Sequence, residues 1–371
     1  MLKDLYIYLM KKLKYTPLFI FLIISTFCFN QNVAPFLDFN NYLKSFENDN
    51  FRTIEIQQIE EFKAGDELVA YIDNRGNLRV YDGKERKDIS NLNVEYKISD
   101  HLMAYKIGPT LNLWDEGKLK TLTYFARNYV VKDSIIVYED TRFNTINVYW
   151  NKKTYPLFTS TGDLQMPTAI GDNIIAFKDN GDLYKIFWNG EIFDVGVWSG
   201  NIEFKAGCDV ICFNDPTTRT FTLFQNGEFI DIEGQFMPSY KAGRGFIAYE
   251  DLNGNLWHYQ NEELMELSNF SSNQWNVKDD MIIWYENSYA FAFANNNKYQ
   301  TSTFIPQDYK IKNKIFAFRN IMGGVSALID GKIIELTNQA NAEYEIYGNL
   351  ILLKLFNNNI LVYKDGKKFQ N

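Results

Sequence analysis

The chain has little to do chemistry with. Its 371 residues include two histidines, His101 and His258, in different parts of the sequence. There are three cysteines and eight prolines. Two distant histidines exclude a His/Cys zinc site of the usual spacing. No G-x-S-x-G elbow, phosphate loop, dinucleotide fingerprint or H-E-x-x-H helix is present, so the common catalytic classes leave no trace. Basic runs are missing too: the formal net charge is −8. Phosphate binding needs a Lys/Arg footprint, so nucleic acid is excluded as the expected partner. Beyond residue 31 no apolar run approaches the ~20 residues that a membrane helix needs.

What the N-terminus does hold is a leader pattern. Lys11, Lys12 and Lys14 precede an apolar run from Pro17 to Phe29, the order of a secretory signal peptide. Residues 1–31 are therefore expected to be a signal peptide, with Met10 as the more natural start. Ser25-Thr26-Phe27 before Cys28 fits a lipoprotein box poorly. Removing this segment takes away four lysines and one aspartate and moves the net charge from −8 to −11. The expected location is the periplasm, the cell surface or the medium. Cys208 and Cys212 then remain, four apart on one extended segment. At that spacing they lie too far apart for a disulfide, so buried thiols are expected.

The aromatic content is high, with 30 Phe and 24 Tyr, and it recurs in a phrase. Phe62-Lys63-Ala64-Gly65 leads into Leu68-Val69-Ala70-Tyr71, and Phe204-Lys205-Ala206-Gly207 into Val210-Ile211-Cys212-Phe213. Tyr240-Lys241-Ala242-Gly243 leads into Phe246-Ile247-Ala248-Tyr249. A second landmark is a tight Asn/Asp-Gly type of turn, seen at Asp82-Gly83, Glu116-Gly117, Asn189-Gly190, Asn226-Gly227, Asn296-Asn297, Asp330-Gly331 and Asp365-Gly366. With Asn48-Asp49, Asn151-Lys152 and Asn261-Glu262 it occurs ten times, at intervals of 34 to 38 residues. Such dipeptides favour two-residue hairpins because both central positions need positive φ. A repeat of this length is one supersecondary unit.

Within a unit the pattern alternates with period two. In Leu78-Arg79-Val80 the two apolar residues share one face and Arg79 takes the other. No stretch after the leader holds the helical period. Each unit therefore offers four short strands, A to D, and tandem four-stranded units stack radially into a propeller. The blade order resembles a WD repeat, and Leu113-Trp114-Asp115 is similar to that family's signature dipeptide. The Gly-His element is missing and the units are short, so the resemblance implies the fold alone. The expectation is an all-β propeller of nine to ten short blades over residues 32–371, with a partial first unit at 34–56. Two smaller propellers joined near residue 200 are the alternative.

One polar position recurs. Asp73, Asp140, Asp179, Asp215 and Asp251 follow the aromatic of strand B, in the B–C turn. Arg142 and Arg219 sit in two irregular loops among these turns. A ring of carboxylates could hold a hard cation such as Ca²⁺, or the hydroxyls of a sugar. Turn chemistry alone also explains them, because Asp bonds its own backbone two residues on. No catalytic or metal-ligating residue is assigned, and no cofactor. The sequence points to an exported, non-catalytic binding or scaffolding module that takes a protein, peptide or carbohydrate on the B–C face. A glycan-acting hydrolase or lyase using B–C carboxylates is the alternative.

Overall fold

At Asn189-Gly190, Asn226-Gly227 and Glu116-Gly117 both central residues of the turn take positive φ, with Asn226 at 53° and Gly227 at 82°. That is the twist a two-residue hairpin needs to match its strands. These turns lie between strands C and D throughout the computed structural model. It describes residues 32–371 apart from 93, 161, 163 and 271–273; the expected leader lies outside them. Two positions differ from the sequence expectation. The eighth-blade turn falls on Asn295-Asn296 rather than one residue later. Asp82 opens a four-residue loop between Tyr81 and Arg86, its Oδ1 accepting from the amides of Lys84 (3.0 Å) and Glu85 (2.9 Å).

The strands form antiparallel meanders in the order A-B-C-D. The seventh blade is typical: Ser239–Ala242, Ile247–Glu250, Leu256–Gln260 and Glu263–Ser268. Register shifts by one residue between strands C and D at Leu78/Arg79, Tyr184/Lys185, Phe221/Thr222, Leu256/Trp257 and Val325/Ser326. A bulge placed there adds twist to the outer edge of the blade, which a radial stack requires.

The first blade departs from this plan. β1 (Ala34–Leu37) pairs with β2 (Tyr42–Glu47), and β2 with the start of β3 (Asn50–Ala64). The 15-residue β3 then continues as strand A of blade 2, where Phe62 pairs with Tyr71. It joins the two blades into one six-stranded sheet. Among the described residues the molecule thus has nine four-stranded blades and a first blade of three strands, B, C and D. No α-helix occurs among them; Phe356–Asn358 is a short 3₁₀ turn.

The cores lie between blades. Leu68, Ala70, Ile72, Leu78 and Val80 of blade 2 pack on Tyr96, Met103, Tyr105 and Trp114 of blade 3. Fully burying one such side chain contributes roughly 1.5–3 kcal/mol. The last seam closes the ring: Ala34, Phe36 and Phe46 of blade 1 pack on Leu350, Leu352, Ile360 and Val362 of blade 10. Lys364 reaches Asp49 across that seam at 2.8 Å. Closure needs no shared strand because blade 10 is complete. Residues 32–371 form a single compact unit, not two propellers.

Nine A–B turns meet one another around the axis. The Asp66 amide donates to Asp100 Oδ1, that of Asp100 to Asp133 Oδ1, and that of Asp133 to Asp172 Oδ1, each at 3.0 Å. Backbone bonds carry the circuit through Gly207, Gly243 and Asp279 to Asn313. Asn313 Nδ2 then reaches the Gly348 carbonyl (3.1 Å), and the Gly348 amide returns to Asp66 Oδ1 (2.6 Å). Lys312 ion-pairs with Asp66 and, at 2.7 Å, with Asp100. This end of the ring is a hydrogen-bonded polar collar.

Candidate functional site

A four-stranded meander sorts its connections by parity. A–B and C–D turns emerge at one end of the ring; B–C turns and D–A connections emerge at the other. The two ends differ in chemistry.

Every aspartate expected as a ligand sits at the second end, and each is engaged by its own turn. Asp73 Oδ1 accepts from the amides of Arg75 and Asn77, both at 2.9 Å. Asp251 Oδ1 accepts from Asn253 (2.8 Å) and Asn255 (2.9 Å), and its Oδ2 from Trp257 Nε1 (3.0 Å). Asp179 takes the amides of Gly181 and Leu183, Asp215 that of Thr217, and Asp140 that of Arg142. Asp38 and Asn320 do the same in blades 1 and 9. Burial pushes Asp73 and Asp251 up, but hydrogen bonds outweigh it, from Asn77 and Arg75 with the Arg79 charge in one, from Trp257, Asn255 and Asn253 in the other. Both carboxyls are held below the ordinary range. Among the described residues no three His, Cys, Asp or Glu side chains converge as a metal site.

The two arginines go different ways. Arg142 lies between two rings, 5.5 Å from the centroid of Phe125 and 5.1 Å from that of Phe143. Phe125 comes from the preceding D–A connection, so the contact joins neighbouring loops. Arg219 takes a positive φ of 64° and its amide donates to the Asp215 carbonyl; it serves the turn.

The feature that polar-residue reading missed is apolar. Of the 21 exposed large hydrophobic residues, 13 lie on B–C turns or D–A connections and six on outer D strands, five of these one residue beyond the C–D turn; Ile56 lies within β3 and Tyr289 opens a strand C. Phe39, Tyr124, Phe125, Phe143, Trp198, Phe236, Leu252, Phe270, Ile321, Met322 and Phe356 share this end, Phe143 at 62% exposure and Ile321 at 78%. A–B and C–D turns contribute none. Water-exposed apolar groups are ordinary when scattered, and their concentration towards one end is what marks a surface for contact.

A ring with nine complete blades and a three-stranded tenth, read from Asn32 to the C-terminus, settles the fold. The chain belongs to the ten-bladed β-propeller domain family, whose model matches residues 27–369. No curated protein matches the sequence. Among solved structures this ten-bladed propeller is similar to the computationally designed Ika8 protein (TM-score 0.36, 11% identity, covering 72% of this chain and 95% of that one). It is also similar to Kluyveromyces lactis Hsv2p (0.30, 10%, 63% and 92%) and the CRINKLY WD40 ectodomain of Arabidopsis thaliana ACR4 (0.31, 6%, 74% and 95%). Likeness at this level carries no argument about function.

Elsewhere in the ten-bladed propeller the reactive side chains are occupied or shielded. His101 Nδ1 pairs with Glu67 at 2.8 Å in the collar. His258 is wedged between the rings of Phe246 and Phe293, at 5.1 and 4.7 Å, and burial pushes it down to about 4. Cys208 and Cys212 are free thiols. Burial, with Asp209 and Asp172 nearby, pushes Cys208 up to about 12. Trp275 is buried under Lys241, whereas Trp198 is exposed on the apolar end.

Proposed function

We propose that this ten-bladed propeller is a non-catalytic binding module that docks a protein partner on its B–C/D–A end. The observation that carries this reading is the concentration of exposed hydrophobic side chains in the B–C turns and D–A connections, which hold 13 of the 21. Aromatic and Met side chains beside Arg are the composition of protein-binding hot spots. Phe125, Arg142 and Phe143 supply such a cluster, with Ile321 and Met322 as a second anchor across several blades. A glycan-acting enzyme has less support, because each candidate carboxylate already has one oxygen engaged by its own turn. Lys11, Lys12 and Lys14 ahead of the apolar run Pro17–Phe29 support an exported location, which cell fractionation of the tagged full chain checks.

A photo-cross-linking residue placed at Phe143 or Ile321, and separately at Lys152 or Glu262 on the opposite end, tests the docking face. Cross-links to a discrete partner are expected from the first pair alone. Equal labelling from both ends, or none from the first pair, rejects the proposal.

A further inference from the structure

In the nine complete blades strand B is covered on its inner side by strand A. In blade 1 no described strand covers β1. Its inner edge lines a cleft of about 470 Å³ that opens on the docking end, between blades 9 and 10 and strand A of blade 2. Phe36, Leu37, Phe62, Tyr347 and Leu352 give it apolar walls, and Asp308, Lys310, Glu343, Glu345 and Arg319 a charged rim. That volume lies within the usual range for ligand sites, ~300–1,000 Å³.

The other blades show what chemistry fits there. In strands A of blades 3, 7 and 9 the sequence is Tyr-Lys-aliphatic: Tyr96-Lys97-Ile98, Tyr240-Lys241-Ala242 and Tyr309-Lys310-Ile311. The tyrosine reaches back one blade. Tyr240 donates to the Glu203 carbonyl at 2.7 Å, and Tyr129 to that of Glu95 at 3.5 Å. The lysine reaches forward and lies over the next blade's ring while donating to that residue's carbonyl. Lys97 does so on Tyr129 (4.3 Å to the ring, 2.8 Å to the oxygen) and Lys63 on Tyr96 (4.2 and 3.2 Å). In the cleft the residue equivalent to Glu203 is Glu343, and the residue equivalent to Tyr129 is Phe62. Both line it.

The edge itself is partly blocked. Pro35 stands where Ala70, Ala104, Ala248 and Ala317 pair with the strand A lysine. It has no N–H to donate, the usual guard on an open edge. An incoming strand can still use the Pro35 carbonyl and both backbone groups of Leu37.

We propose that this cleft receives a short extended segment of the partner, with a Tyr-Lys-aliphatic sequence, as the inner strand that no described residue supplies to blade 1. The mode is strand addition, with side-chain pockets setting specificity. It rests on the reading that a protein partner docks on this end of the ring.

The probe is the labelled, blocked peptide Glu-Tyr-Lys-Ile, the sequence of Glu95–Ile98, titrated by fluorescence anisotropy against the full chain. Saturable binding is expected, at least tenfold weaker for the peptide with Glu in place of Lys. Phe62→Ala should weaken it at least fivefold, because the ring under the ammonium is lost. Pro35→Ala supplies the missing donor and should tighten it severalfold; this gain does not depend on Phe62→Ala folding. No saturable binding by the full chain overturns the proposal, whether a segment outside the described residues fills the cleft or nothing does. Equal binding of the two peptides overturns it as well. Cross-linking from Phe143 and Ile321 without peptide binding removes the cleft alone. Peptide binding without those cross-links supports the cleft and removes the wider docking face.

Discussion

The backbone amide of Asp100 donates to Oδ1 of Asp133 at 3.0 Å, although the two residues stand in different blades, 33 positions apart. The bond is one of three in which a carboxylate of the next blade accepts from an A–B turn amide, and together they put several carboxylates close together. Burial, reinforced by the charges of Asp100 and Asp172, pushes Asp133 up to about 6. Asp66 and Asp172 move the same way, with burial the largest cause in each.

A carboxyl whose folded pKa lies above its unfolded value binds its proton more tightly when folded. Its contribution is fully present below about 4 and is lost as pH rises towards about 6. Asp133→Asn keeps the Oδ1 acceptor and removes the charge. It should leave stability nearly unchanged at pH 4 and raise it by about 1–2 kcal/mol at pH 7.5. Urea unfolding at the two pH values measures the difference. A variant that is destabilised equally at both would remove the charge-repulsion account.

Lys312 holds the same collar from the other side of the axis. Burial alone would lower its pKa, but Asp66 and Asp100 outweigh it and raise it. Lys312→Met leaves those two carboxylates facing each other without a cation. A loss of about 2–4 kcal/mol is expected at pH 8, and a smaller one at pH 5, because lower pH favours the neutral form of the raised Asp66 carboxyl. Adding Asp66→Asn should recover part of the loss at pH 8. Thermal melts of the single and double variants at both pH values decide it.

The B–C aspartates should behave as turn residues of graded weight. Asp251 satisfies two amides, the Asn255 side chain and the Trp257 indole, whereas Asp215 Oδ1 satisfies the single amide of Thr217. Asp251→Ala should cost about 1–3 kcal/mol and Asp215→Ala about 0.5–1 kcal/mol. Their urea midpoints rank the two. Equal costs would mean that the hydrogen bonds do not set the stability of these hairpins.

The parts of this fold that were legible in the sequence are the local ones. Asn226-Gly227 announces its hairpin because few residues tolerate positive φ at both positions, and Leu78-Arg79-Val80 announces its buried face by alternation. The blade count followed from the same turns, as did the partial first unit at Ala34. β3 was less visible: the alternation Ile54-Glu55-Ile56 runs on to Phe62 with no Gly, Pro, Asn or Asp, and that missing turn was the available sign of one strand serving two blades. The bulges between strands C and D leave no residue signature. The collar joins Asp66 to Gly348, 282 positions away, a pairing that only the closed ring creates. At the B–C/D–A end the acids are engaged by their own turns, as hairpin chemistry already allowed, while the gathering of Phe143, Ile321 and Phe356 at one end arises only when the ring aligns the blades.

The most direct test of a one-sided docking surface compares two variants of the full chain in affinity capture of its partner. One carries Phe125→Ser, Phe143→Ser, Ile321→Ser and Met322→Ser on the apolar end; the other carries Lys152→Ser and Glu262→Ser on the polar end. Both sets touch exposed side chains, so circular dichroism and melting should match the wild type closely. Capture should fall at least tenfold in the first variant and stay within twofold of wild type in the second. Undiminished capture by the first variant, with its fold intact, would contradict the account.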